Sequence, residues 1–179
     1  MLKNPDQMPD FVSEALKFWD AVPKTRGIPA KREFHPLSGL PKSMITQIAL
    51  ARICTDPLDV EITLCGSRLQ QQLGKPVVGR SVYEIHDHDQ SFARYWLSHA
   101  SLMIRSRKAV YSEGTFNGDF AGHKQVRRYF FPFSIDIPGT VEGFAYVNWV
   151  YYSDNYQQKD PVLINLQQVE RLDRQLVSV

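Results

Sequence analysis

The order of elements along the chain predicts an α+β domain built on one antiparallel sheet, with short helices gathered on one of its faces. Three observations carry this: two alternating apolar segments between residues 47 and 65, three short helical patterns between 67 and 104, and three aromatic-rich segments of period two between 109 and 152. Strands that follow one another pair most readily, and the helices must bury their apolar sides against the sheet. The chain has 179 residues, 43% apolar and 22% charged, which is the composition of one globular domain and disfavours disorder, collagen-like repeats and low complexity. A chain of this size buries enough surface to need no disulfide or metal staple.

The first helix is expected from about Asp10 to Val22. Phe11, Ala15, Trp19 and Val22, with Val12 and Leu16 beside them, recur at helical spacing; Asp10 can cap and Pro23 stops the run. From Pro23 to Pro41 neither period is present and prolines interrupt, so the stretch reads as an extended connection. Gln47–Cys54 and Asp59–Cys65 read as a hairpin turning at Thr55-Asp56-Pro57-Leu58, with Val60, Ile62 and Leu64 alternating against Glu61 and Thr63. Ser67–Leu73 closed by Gly74, a turn from Arg80 to Ile85, and Ser91–Ile104 carrying Phe92, Tyr95, Trp96, His99 and Leu102 read as helices.

Ala109–Phe116, Gln125–Phe133 and Glu142–Tyr152 read as strands separated by the turn formers Asn117-Gly118-Asp119 and Asp136-Ile137-Pro138-Gly139. Beyond a polar linker, Asp160-Pro161 reads as a helix cap followed by proline in the first turn. Leu163, Leu166, Val169, Leu172 and Leu176 then make one apolar stripe, so an amphipathic C-terminal helix is expected. The boundaries are therefore 1–44 for the N-terminal helix and connection, 45–152 for the central domain, and 153–179 for the linker and last helix.

Lysine and arginine number 21 against 19 acidic residues, and a net charge of +2 is too small to point to nucleic acid or a membrane surface. No run approaches the ~20 apolar residues of a membrane span, and no secretory leader follows Met1, so a cytoplasmic protein is expected. Cys54 and Cys65 fall on the two arms of one hairpin with Leu50, not Cys54, opposite Cys65, which predicts two free thiols.

Phe18-Trp19-Asp20, the run from Gly66-Ser67-Arg68-Leu69 to Gly74-Lys75-Pro76-Val77-Val78-Gly79-Arg80, and Arg128-Tyr129-Phe130-Phe131-Pro132-Phe133 before the Gly139 turn occur in that order. Together with the elements between them, over about Phe18 to Tyr152, they make the chain resemble a PAS domain, and more closely the small bacterial PAS proteins in which a Phe-Trp helix precedes the domain and no output domain follows. The resemblance implies a five-stranded sheet of order 2-1-5-4-3 with helices cupping a cavity on its inner face. It also implies a sensory role: a small molecule held in that cavity, a homodimer formed through the flanking helices or the back of the sheet, and a signal passed to a protein partner. With no kinase, cyclase or DNA-binding segment left over, output is expected by contact.

Arg127, Tyr129 and Phe131 share one face of their strand, and Tyr146, Asn148 and Val150 share one face of the last. Counted from Pro132 and Gly139, Arg127 and Asn148 resemble the positions where flavin-binding PAS members place ring-contacting amides. The candidate ligand-binding set is thus Arg127, Tyr129, Phe131, Tyr146 and Asn148, with Trp96 and His99 from the facing helix. An inward Arg127 would match an anionic ligand; an outward one, or one paired with Glu113, is the alternative. The aromatic run either lines a pocket or fills the core, and its other face, carrying Phe130, Val147, Trp149 and Tyr151, needs cover from the first helix, the last helix or a second subunit.

Motifs do not support haem or flavin. Neither cysteine lies in the helical region, as a flavin photoreceptor requires, and His99 as an axial ligand has no companion motif. His86-Asp87-His88-Asp89 has a metal-site composition, but adjacent residues rarely converge on one ion, and the two aspartates are better read as helix caps. Three readings result: a non-catalytic PAS sensor, a ligand-free dimerisation or interaction module, and a small isomerase or dehydratase drawing an acid–base pair from His99, His123, Asp119 or Glu113.

Overall fold

A computed structural model of the chain describes residues 10–33, 42–87, 90–115, 124–152 and 159–163. Helix α1 spans Asp10–Ala21, and the two-residue strands β1 (Lys24–Thr25) and β2 (Ile28–Pro29) form a small ribbon after it. Helix α2 (Lys42–Ile45) leads into the hairpin β3 (Ile48–Thr55) and β4 (Leu58–Cys65). Helices α3 (Ser67–Leu73), α4 (Val82–Ile85) and α5 (Gln90–Ser106) follow, then β5 (Val110–Thr115), β6 (Lys124–Phe133), β7 (Gly143–Tyr152) and β8 (Lys159–Leu163).

The main sheet runs β4-β3-β7-β6-β5-β8, and every pairing in it is antiparallel. The five strands expected from the sequence thus make a five-stranded antiparallel sheet, numbered 2-1-5-4-3 in their own chain order, and β8 extends it beyond β5. The α+β class is the one expected. None of the helices in the described residues is long and apolar enough to cross a membrane.

Local signals explain the element ends. Gly74 closes α3 in the left-handed conformation at φ 70°, and its N–H reaches the Gln70 and Gln71 carbonyls. Ser81 and Glu84 form a reciprocal capping box that starts a helix of only four residues. Gly66 is required by close approach rather than by φ: a β-carbon there would stand 2.4 Å from the Ile45 carbonyl oxygen. Its absence lets the Gly66 N–H bond the Ile48 carbonyl while α3 turns off the end of β4.

Both faces of the sheet are buried. On one, Ala49, Ile62, Phe130, Phe144 and Tyr146 pack beneath Trp96, Ala100 and Met103 of α5 and beneath α3 and α4. On the other, Leu50, Tyr129, Phe131, Ala145 and Val147 pack beneath Ala15, Leu16 and Trp19 of α1. Trp19 fixes that helix by donating its indole N–H to the Pro132 carbonyl at 2.9 Å. Of the three covers considered for the back of the sheet, the first helix of the same chain is the one found over these residues.

Three expectations about element placement require correction. Phe130 was expected on the outer face with Val147, but it lies opposite Tyr146 on the α5 side, fully buried. The segment from Lys159 to Leu163 was expected to begin a helix, yet it is a strand on the open edge of β5, pairing Val110 with Leu163 and Glu113 with Lys159. An edge strand tolerates Pro161, and the register shifts between Tyr111 and Glu113, opposite that proline. Leu166, Val169, Leu172 and Leu176 lie outside the described residues, as do Asn117-Gly118-Asp119. The hairpin pairs Ala49 with Cys65 and Leu50 with Leu64, one residue from the expected register, and both thiols are free.

Candidate functional site

Between α3, α4 and α5 and the inner face of the sheet lies a cavity of about 30 Å³. Its walls are mostly apolar: Ile62 and Ala49 from the sheet, Leu69 and Leu73 from α3, Val82 and Ile85 from α4, Phe92 and Trp96 from α5. The polar part of the lining is Cys65, His86, Arg128, Tyr146 and Asn148.

Pairing across β6 and β7 decides which side chains reach it. Closing the hairpin with Phe133 opposite Gly143 puts Phe130 opposite Tyr146 and Arg128 opposite Asn148. Side chains alternate faces, so Arg128 and Phe130 share the cavity side with Tyr146 and Asn148, whereas Arg127, Tyr129 and Phe131 share the α1 side. Of the seven expected ligand residues, Trp96, Tyr146 and Asn148 line the cavity. His99 packs next to it without lining it, and Arg127, Tyr129 and Phe131 lie behind the sheet.

The assignment of Arg127, Tyr129 and Phe131 to the cavity is therefore corrected by one residue. Tyr129, Phe130 and Phe131 are all bulky, both sides of β6 are buried, and no polar–apolar contrast fixes the phase of the strand. The usable signal was the loop between Phe133 and Gly143, because the hairpin ends fix all ten cross-strand pairs.

Arg127 takes its alternative reading. Its Nε donates to Glu113 Oε1 at 2.8 Å, with both side chains less than one-tenth exposed. The Tyr111 hydroxyl donates to the same Oε1, and burial, reinforced by the neighbouring Tyr129 and Glu113, pushes the Tyr111 phenol far above its ordinary range.

Arg128, which sequence reading passed over as a ligand residue, is 2% exposed and lies at the polar end of the cavity. Its guanidinium carbon stands 5.6 Å from the Phe92 ring centre and 5.3 Å from that of Tyr95. Nη1 donates to the Tyr95 hydroxyl at 3.4 Å, and that hydroxyl donates to Ser112 Oγ at 2.7 Å. A β-carbon on Gly114 would stand 3.0 Å from Nη1, so glycine in β5 leaves the guanidinium its place. On the other side the positive charge of Arg128 bears on the Tyr146 phenol, Tyr146 donates to Asn148 Oδ1 at 2.9 Å, and Asn148 Nδ2 donates to Gln72 Oε1 at 3.4 Å. A polar belt thus crosses the sheet from β5 to α3.

His99 is fully buried, its ring centre 4.3 Å from Tyr95 and 4.5 Å from Phe130. Nδ1 donates to the Tyr95 carbonyl at 2.7 Å, which leaves Nε2 as the lone-pair nitrogen, without a hydrogen-bond partner among the described residues. Burial, aided by the charge of Arg128, holds the imidazole down to about 4, so it is neutral at pH 7. Cys65 is half-buried and its thiol is pushed up to about 11 by desolvation.

The acid–base pair sought for an enzyme is not assembled among the described residues. His99 lies on the cavity side of the sheet, Glu113 is held by Arg127 on the opposite side, and Asp119 and His123 are outside those residues. No group of three or more His, Cys, Asp and Glu side chains among the described residues is placed to hold a metal ion; His88 and Asp89 lie outside them. Compared with models of known families, with curated proteins and with solved structures, the chain matches none.

Proposed function

We propose that this chain is a cytoplasmic, non-catalytic PAS-type sensory module that holds a small molecule between α3–α5 and the inner face of the sheet. Its signal passes by contact to a protein partner or to a second copy of the chain. The observation that carries the reading is the cavity itself, an apolar pocket closed at one end by the belt Arg128, Tyr146 and Asn148, a combination characteristic of small-molecule sites. The strand order 2-1-5-4-3, which the PAS resemblance implies, supports it further. The back of the sheet is occupied by α1, so a dimer through that face requires α1 to be displaced or shared.

A second reading, a ligand-free interaction module, is favoured by the size of the cavity, about 30 Å³, which fits water-sized guests. Native mass spectrometry and the ultraviolet–visible spectrum of freshly purified protein separate the two. The sensor reading expects a non-covalent mass above that of the chain which disappears on denaturation, with absorbance beyond the aromatic band if the guest is a chromophore. A native mass equal to the chain or a whole multiple of it would move the assignment to the interaction module.

A further inference from the structure

The polar residues of the cavity wall, Cys65, His86, Arg128, Tyr146 and Asn148, each have a partner inside the protein. Tyr146 donates its hydrogen to Asn148 Oδ1, and Asn148 Nδ2 donates to Gln72 Oε1. Arg128 donates from Nη1 to the Tyr95 hydroxyl and lies beside the Phe92 and Tyr95 rings. The Cys65 thiol donates to the Gly66 carbonyl at 3.7 Å, and the His86 ring makes a T-shaped contact with Phe92, 4.4 Å between centres. The rest of the wall is apolar, with Ile62, Leu69, Val82 and Ile85 among its side chains. A buried water needs about 2–4 polar partners, which a wall with its polar groups engaged in this way does not supply, and apolar cavities stay dry. The space, about 30 Å³, exceeds the roughly 10–15 Å³ of one water-sized sphere and falls far below the roughly 150 Å³ that admits benzene. Atoms facing such a void forfeit dispersion contacts, and a guest that fills it restores them.

We propose that this cavity is dry and takes up an uncharged, apolar gas of diatomic size, dioxygen and dinitrogen being the members of that class present in ordinary solution. The inference rests on the reading of this cavity as a guest site and adds the polarity and size of the guest. Recognition is by fit alone: the gas enters without breaking a hydrogen bond of the wall, and the gap between α3–α5 and the sheet sets the size limit.

Nuclear magnetic resonance of the methyl-labelled full chain under dioxygen, dinitrogen and xenon tests this. Dioxygen is paramagnetic and speeds the relaxation of the methyl protons it touches. Relative to dinitrogen, it is expected to act more strongly on Ile62, Leu69, Val82 and Ile85 than on Leu16, Ile48 and Val147, which are buried on the α1 side of the sheet. Xenon should move the signals of the first set and, by competing for the space, weaken the dioxygen effect on them. Equal dioxygen effects on the two sets would overturn the inference, as would cross-relaxation between the first set and a bound water. A gas response beside a native mass equal to that of the chain upholds the inference and leaves the cavity without an organic guest, the outcome that moves the protein to the interaction module. No gas response beside a native mass above that of the chain overturns the inference and leaves the sensor reading standing, because another guest then holds the space. No gas response and no added mass overturn both.

Discussion

Arg127 and Arg128 are consecutive in β6 and leave the sheet on opposite faces. Arg127 is bound to Glu113 beneath the α1 layer, and Arg128 lies beside the stacked Phe92 and Tyr95 rings in the cavity wall. Two identical side chains thus have different environments, one held by an internal acid and the other at a pocket wall.

The Arg127–Glu113 pair should behave as a buried ion pair. Removing one partner by Glu113→Ala strands a buried charge and is expected to destabilise the fold by about 3–5 kcal/mol. Replacing both, with Arg127→Met and Glu113→Leu, should recover much of that loss. Urea unfolding of the two singles and the double measures the coupling; additive losses would show that the pair does not act as a unit.

His99 makes stability depend on pH with a defined sign. Its pKa is held down to about 4 in the fold, against 6.5 for the free group, so the unfolded chain binds the proton more readily. The stabilisation is complete above about pH 6.5 and is lost as pH falls from there towards 4, amounting to about 3 kcal/mol. His99→Phe, which keeps an aromatic ring against Tyr95 and Phe130, should flatten this part of the profile. Chemical denaturation between pH 7.5 and 4.5 is the check, and equal slopes for the two proteins would refute it.

Trp19 anchors α1 by its ring and by its N–H. Trp19→Phe should remove the bond to the Pro132 carbonyl for about 1 kcal/mol, whereas Trp19→Ala, which opens the back of the sheet, should lose about 3–5 kcal/mol. Thermal unfolding of both variants reads the difference.

Gly66 tolerates no β-carbon, because the atoms it would meet are backbone: the Ile45 carbonyl oxygen at 2.4 Å and Thr46 atoms at 2.6 Å. Gly66→Ala is expected to destabilise by about 1–3 kcal/mol or more, as backbone must shift where β4 turns into α3. A melting temperature unchanged from the parent would show that this corner relaxes freely.

Cys65 should alkylate slowly. With its thiol pushed up to about 11 from 9.0, the thiolate at pH 8 is about a hundredfold scarcer than in an unburied cysteine. Iodoacetamide modification of a Cys54→Ser variant, followed by mass spectrometry against glutathione, measures it, and alkylation as fast as that of an unburied cysteine would refute it.

The sequence by itself determined the kinds and order of elements. Ala15, Leu16 and Trp19 on α1, and Val22 just past its end, are buried as their spacing requires, and Ser67–Leu73 ends at Gly74 because only a left-handed residue closes that turn cheaply. The five strands of period two fall within a residue or two of their expected limits. These features depend on local periodicity and on residues with special backbone preferences, which any short window of sequence carries.

Tertiary structure decided the rest. Period two shows that neighbours in β6 face opposite ways, but not which neighbour faces the cavity. With Arg127 beside Arg128, and Tyr129, Phe130 and Phe131 all apolar and buried, only pairing with β7 sets the phase. Asp160-Pro161 carries a helix-start pattern, yet the unpaired edge of β5 offers backbone hydrogen bonds that draw Lys159–Leu163 into the sheet, where an edge accepts proline. The candidate site depends on the same long-range choices: Arg128, Asn148, Trp96 and Leu69 come from four elements and meet only because the helices fold back over the sheet.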